Sequence, residues 1–140
     1  MQTRLSSAEN SFWRSAGAWL VLPMVALMLL NFVRTLADPA GFAAYLGLPL
    51  QHAADFRLVQ VYGLRALFIG LFAAYLLWQQ NAGALKWFAW LAILMAVGDA
   101  WLVYGAGGAQ GIVIRHLGTA VYLLIAGFAL HRQGERGLSK

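Results

Sequence analysis

The chain has 140 residues, of which 61% are hydrophobic and only 11% charged, with a formal net charge of +5. A soluble domain usually has about 25% charged residues, and at this size it has too much surface to hide so apolar a composition, so the chain is expected in a lipid bilayer as one compact bundle. Cysteine is absent, which removes disulfides, thiolate catalysis, iron–sulfur clusters and cysteine-ligated zinc; the basic residues are scattered at helix ends without a basic run or an RNA-binding motif, so no nucleic-acid partner is expected.

Four apolar runs have the roughly 20-residue length that a helix needs to cross a bilayer. Helices are required because lipid cannot satisfy exposed backbone groups. The first run spans about Ala16 to Leu36. Arg4 and Arg14 precede it, and Thr35-Leu36-Ala37 loosely resembles a signal-peptide cleavage site. The run is long for a signal peptide, and Asn31 and Arg34 interrupt its end, so a retained helix is predicted, bent near Pro23. Next, Asp38 is placed to cap a helix that begins with Pro39. Phe42, Tyr45 and Leu46 share one face of it, and Gly47 with Pro49 ends it. This pattern predicts a short amphipathic helix at the membrane surface. The second run spans about Leu58 to Trp78, the third Leu85 to Tyr104 and the fourth Ile112 to Leu130. Short turns at Gln79 to Ala84 and Gly105 to Gly111 make neighbouring helices antiparallel. The predicted fold is all-α: a single-domain integral membrane four-helix antiparallel bundle, with a short surface helix between helices 1 and 2.

The positive charges predict an orientation. With the N-terminus inside, the inner segments hold Arg4, Arg14, Lys86, Arg132, Arg136 and Lys140, and the outer ones Arg34 and Arg57. Cytoplasmic N- and C-termini in a bacterial inner membrane are therefore expected. Trp13, Trp19, Trp78 and Trp87 then mark the inner interface, and Tyr45, Trp101 and Tyr104 the outer one. Ala66, Gly70 and Ala74 on the second helix and Ala92, Ala96 and Ala100 on the third form small-residue stripes that let helix backbones approach closely. Packing within the monomer is the expected use of these stripes, and a homo-oligomer seam is the alternative.

Polar residues recur at one level. With about 1.5 Å of rise per residue, Asn31, Arg65, Asp99 and His116 all fall roughly 6 to 10 Å below the outer boundary, one from each of the four helices. Gln60, Tyr62 and Arg115 lie at or just above that level. A charge inside the membrane costs about 2.5–3.5 kcal/mol even on lenient scales, so such groups face the interior and seek partners. Asp99 is the expected partner of Arg65, in a bidentate pair, and Arg115 is expected to point elsewhere, since neighbouring helical residues lie about 100° apart. Phe68, Ile69 and Phe72 continue the Tyr62–Arg65 face inward, Met95 and Ala92 lie below Asp99, and Val113, Thr119, Ala120 and Leu123 flank His116. The predicted cavity is polar at its outer end and apolar below, a shape that fits an amphiphile.

Two readings follow. In the first, the protein binds a lipophilic small molecule near the outer side of the bundle and isomerises or cyclises it by acid–base chemistry. Asp99 and His116 transfer protons, Arg65 holds an anionic or carbonyl group, and Asn31, Tyr62 and Gln60 complete the binding site. The surface helix serves as a lid. In the second, Arg65, Asp99 and His116 form an internal ion-pair network in a non-catalytic subunit of a larger membrane complex. No cofactor is required by either. His52, Asp55, Asp99 and His116 match no metal-ligand spacing, and a bis-histidine haem site lacks a second histidine at the depth of His116. Gly105, Gly107, Gly108 and Gly111 read as a turn and not as a phosphate cradle.

Several stretches resemble the small membrane proteins of the family named domain of unknown function 4267. They are Gly47-Leu48-Pro49, Tyr62-Gly63-Leu64-Arg65 followed by Gly70, Gly98-Asp99-Ala100 and His116-Leu117-Gly118, which together cover most of the chain after Ala37. The resemblance implies a four-helix membrane protein with an Arg, Asp and His set like this one, and it brings no established activity. In architecture alone, without a shared motif, the expected bundle is also similar to the emopamil-binding-like isomerases and the membrane-bound terpene cyclases.

Overall fold

The computed structural model describes residues 12–13, 15–52 and 55–138, with side chains described to residue 133. Arg4, Arg14 and Lys140, and the side chain of Arg136, on which the orientation argument partly rests, lie outside the described residues. The described chain is helical, with no strand: α1 (Ala16–Ala37), α2 (Pro39–Leu46), α3 (Phe56–Trp78), α4 (Ala82–Gly105) and α5 (Gln110–Leu138). α1, α3, α4 and residues Gln110–Gln133 of α5 are each long and apolar enough to span a bilayer.

The outside of the bundle fits lipid. Leu58 is 70% exposed, Phe68 68% and Leu94 71%, a density of bare apolar side chains that would aggregate in water. Trp19, Trp78 and Trp87 are exposed near one end, and Trp101 and Tyr104 near the other, the aromatic belts expected where a bilayer meets water. The chain is an integral membrane protein.

Local chemistry sets the helix ends. The Ser15 hydroxyl accepts from the Ala18 N–H at 3.3 Å, and the Asn81 side chain accepts from the Ala84 N–H at 2.9 Å. Both supply acceptors to the otherwise unserved donors of a first turn. Asp38 does this for α2, accepting from Gly41 N–H at 2.9 Å, with Pro39 in the first turn. Gly47 ends α2 at φ 90°, a left-handed conformation that a residue with a Cβ adopts only at a cost.

The spans associate as two pairs. α5 folds back along α4 after a four-residue connection, and α1 packs along α3. Between the pairs α1 touches α5, while α3 and α4, although joined by residues 79–81, pack sparsely. Small residues explain the tight pairs. A Cβ added to Gly63 would overlap the Thr35 hydroxyl, and one added to Gly70 would sit 3.1 Å from Met28 Cβ, so α1 and α3 meet backbone to side chain. Gly127 similarly receives the Trp90 ring, and that ring meets Phe128 edge-on at 5.0 Å. The stripe through Ala66 and Gly70 is thus used within the monomer. Tyr122 ties the pairs together, its hydroxyl donating to the Leu20 carbonyl at 2.7 Å.

One end of the bundle is closed by apolar packing of Val21, Ala73, Leu76, Leu77, Leu85 and Leu130, drawn from all four spans. The other end, here the α2 end, is covered by α2. That helix has no charged residue and is only weakly two-sided, burying Phe42 and Ala43 while Ala40, Gly41 and Ala44 stay exposed. Phe42 packs on Tyr62 of α3, with ring centroids 5.7 Å apart. Gly47 lies so close to Val103 of α4 and Ile112 of α5 that a Cβ would come within 2.9 Å of each. The predicted surface helix is therefore a strap from the α1–α3 pair to the α4–α5 pair.

Gly63→Ala forces the buried Thr35 aside, and such overpacking costs about 1–3 kcal/mol. We expect a thermal midpoint several degrees lower in detergent, partly restored by adding Thr35→Ala, which removes the overlapping hydroxyl.

Candidate functional site

The two pairs do not close on each other along their whole length, and the gap between them is a cavity of about 450 Å³. Ligand pockets commonly run from about 300 to 1,000 Å³, so this one has room for one slim molecule. Its floor is apolar, formed by Leu20, Val21, Ala73, Leu85 and Ala126. Its middle is lined by Met24, Met28, Ile69, Ala92, Met95 and Leu123. Its α2 end is polar, with Asn31 from α1, Tyr62 and Arg65 from α3, Asp99 from α4, and Arg115 and His116 from α5. Tyr45 and Leu46 of α2 form the roof.

The predicted level of polar residues thus converges on one cavity, with corrections. Gln60 is exposed and does not line it. It lies two residues before Tyr62, a step of about 200° around a helix, and so faces away. Arg115, expected to point elsewhere, reaches the cavity together with His116. Phe68 and Phe72 lie outside, stacked on each other at 5.9 Å, and Ala66 and Ala73 take their place on the inner face of α3. Of the residues predicted to flank His116, Thr119 and Leu123 line the cavity, whereas Val113 and Ala120 do not.

The expected bidentate pair is not formed: among the described residues no ion pair joins Arg65 to Asp99. The two stand on α3 and α4, the loosely packed neighbours, and the cavity between these helices keeps them apart. Arg65 stands at the boundary of two spaces. It lines the cavity and also an apolar groove on the outer surface with Val61, Leu64, Phe68, Ile69 and Met95. Arg65, Ile69 and Met95 belong to both, so the gap between α3 and α4 is where the cavity comes nearest to lipid.

Asn31 is 5% exposed and lines the cavity, and its side-chain oxygen is buried without a hydrogen-bond partner. Leaving such an acceptor unserved costs about 1–3 kcal/mol. Thr35, one turn away and fully buried, serves itself by donating to the Phe32 carbonyl at 2.7 Å. Asn31 has no such local outlet for its oxygen.

His116 Nε2 lies 3.2 Å from the carbonyl oxygen of Leu46. A carbonyl only accepts, so Nε2 carries the hydrogen and donates it, and no hydrogen bond to Nδ1 is formed among the described residues. Arg115 donates to the Tyr45 carbonyl and stacks its guanidinium over the Tyr45 ring, 3.8 Å from the centroid. Arg34 of α1 approaches the same ring at 5.4 Å. Two side chains of α5 thereby serve the last carbonyls of α2, which no helical N–H reaches and where the helix dipole is negative. Asp99 lies within electrostatic range of both His116 and Tyr62. The His52 N–H donates to the Asp55 carboxylate at 3.1 Å and the Asp55 N–H to the His52 carbonyl at 3.0 Å, and neither residue lines the cavity. Among the described residues no three His, Asp or Glu side chains converge as metal ligands.

Sequence reasoning did not anticipate the clasp of Arg115 on Tyr45. A signal for it was present: Tyr45 and Leu46 close the short helix just before Gly47, where bare carbonyls attract cations.

An all-helical membrane protein with a cavity between its helix pairs, polar beneath a short strap helix and apolar beyond, is the class these features define. The chain belongs to the family described as "Domain of unknown function (DUF4267)", whose model matches residues 25–130. That match takes in α2, α3, α4 and all the polar residues of the cavity, and it begins within α1, after the lining residues Leu20, Val21 and Met24. No curated protein and no solved structure matches the chain.

Arg115→Ala removes both the stacking and the hydrogen bond that hold α2 down. Backbone amides of residues 42–48 should then exchange hydrogen about tenfold faster, for a loss of roughly 1–2 kcal/mol, while those in the middle of α4 keep their protection. Hydrogen-exchange mass spectrometry on the protein in nanodiscs reads both.

Proposed function

We propose that this protein holds one lipophilic small molecule in its cavity, with the polar head under α2 and the apolar body among the methionine and alanine side chains below. The observation behind this reading is a cavity of about 450 Å³, apolar below and polar under α2, whose lining holds both Arg65 and Asp99 without an ion pair between them. An internal ion-pair network needs that pair, so its absence weighs against the accessory-subunit reading. The methionines add a flexible, polarisable lining that adapts to an irregular apolar shape.

The residues also suit acid–base catalysis. Nδ1 of His116 is the free nitrogen, and Asp99 is its electrostatic neighbour. With one of the two as base and the other as acid, a proton leaves one carbon of the bound molecule and another is returned elsewhere, so that a double bond shifts or a ring closes without any co-reactant. Arg65 polarises an oxygen at the head. The gap at Arg65, Ile69 and Met95 offers access directly from the bilayer. With the termini in the cytoplasm of a bacterial inner membrane, as Lys86 and Arg132 favour, the head would sit in the outer leaflet.

Native mass spectrometry of the protein extracted from its membrane should show one bound lipophilic molecule per chain. Asp99→Asn should keep the helical circular dichroism and the bound molecule while abolishing conversion of that molecule to an isomer of equal mass, read by chromatography of the released lipid. A chain without any bound molecule would defeat the binding reading; loss of folding in Asp99→Asn would favour a structural role for the carboxylate.

A further inference from the structure

We propose that the groove on the outer face of α3 seats a bilayer phospholipid with a net negative head. The site lies outside the cavity and does not depend on what the cavity holds. Two arginines of α3 carry it. Arg57, the second residue of the helix, and Arg65 are both exposed, and among the described residues neither guanidinium has a hydrogen bond, an ion pair or a ring contact. The other arginines at this end, Arg34 and Arg115, are both drawn to the Tyr45 ring. Helical rise puts Arg65 about 12 Å deeper in the membrane than Arg57.

Between and beside them the surface is apolar. Val61, Leu64 and Phe68 are exposed and follow Arg57 at spacings of three and four residues, so the four share one face of α3. Arg65, Ile69 and Met95 of α4 complete the groove. Its lining holds no acidic side chain: Asp99 lines only the cavity, and Asp55, close to Arg57 in sequence, accepts from the His52 N–H instead. Two positive charges on a lipid-facing wall are costly until an anion meets them, and the anion that a bilayer supplies at its boundary is the lipid phosphate. Side chains of a helix lean towards its N-terminus, which for α3 is the α2 end. Arg65 is thereby directed back towards Arg57 and the boundary, the direction in which an arginine snorkels. A guanidinium takes two phosphate oxygens at once, and Arg57 adds positive charge at the level of the head group. One acyl chain then lies along Leu64, Phe68 and Ile69. A zwitterionic head sets its ammonium group beside Arg57, whereas a net negative head brings no cation there. A lipid in this place also covers the gap at Arg65, Ile69 and Met95.

The test uses two probes, phosphatidylglycerol and phosphatidylcholine, each with a diazirine at the same position of the same acyl chain. Each is added at trace level to phosphatidylcholine nanodiscs that hold the full chain, and after photolysis peptide mass spectrometry locates the label. Phosphatidylglycerol should label residues 61–69 and Met95 about tenfold more than phosphatidylcholine does, the equivalent of one hydrogen bond to a charged group. Arg57→Gln and Arg65→Gln should each lower that preference about fivefold, the worth of one arginine beside an anionic lipid. Lys86→Gln, at the other end of the bundle, should leave it unchanged. Labelling of the groove that is no stronger with phosphatidylglycerol, label confined to cavity residues such as Ala92 and Leu123, or an unchanged preference in either arginine variant overturns the proposal. Arg57 is exposed at the start of its helix, so Arg57→Gln decides the matter if Arg65→Gln fails to fold.

Discussion

Carbonyl oxygens at the end of an eight-residue helix hold the roof of this bundle's cavity in place. α2 contributes no charge and buries few side chains, so it has little hold of its own on the protein. Its last carbonyls face the start of α5, where Arg115 and His116 serve them, and the guanidinium also covers the Tyr45 ring. In a low-dielectric setting such contacts are stronger than in water. They also remove Arg115 and one nitrogen of His116 from the cavity's free chemistry. The strap therefore roofs the space and at the same time takes up two of the polar groups that line it.

The space exists because of how side-chain size is distributed. Glycines are used inside the pairs, where Gly63 and Gly70 admit α1 against α3 and Gly127 admits Trp90. Lipid gives helices no hydrophobic reason to associate, so close packing is the main attraction available. Once each pair has used its smooth faces, the surfaces that remain between the pairs are uneven. They meet at the floor, where Leu76, Leu77, Leu85 and Leu130 interlock. Nearer α2 they stand apart. Arg65 and Asp99 remain in the lining of that gap, Arg65 exposed at the outer groove, each costly to keep in a membrane and neither neutralised by the other. A molecule that bridges them would recover part of that cost.

The sequence determined the elements by itself. Four runs of apolar residues give spans whose ends agree with the structure to within three residues except at the end of the fourth, where the helix runs on to Leu138. Asp38, Pro39 and Gly47 bound α2 as predicted, because capping and left-handed glycine geometry are local properties. Depth was legible as well: helical rise alone puts Asn31, Arg65, Asp99 and His116 at one level, and the structure brings all four to one cavity. Azimuth and separation were decided only by the tertiary structure. In a soluble bundle, polarity tells the inner face of a helix from the outer one; in lipid both faces are apolar, and the signal that would have excluded Gln60 and Phe68 and admitted Ala73 is weak. A shared depth likewise does not say how far apart two helices stand. The distance that keeps Arg65 from Asp99, and the reach of Arg115 to a helix seventy positions earlier in the chain, arise from packing between elements that no local pattern encodes.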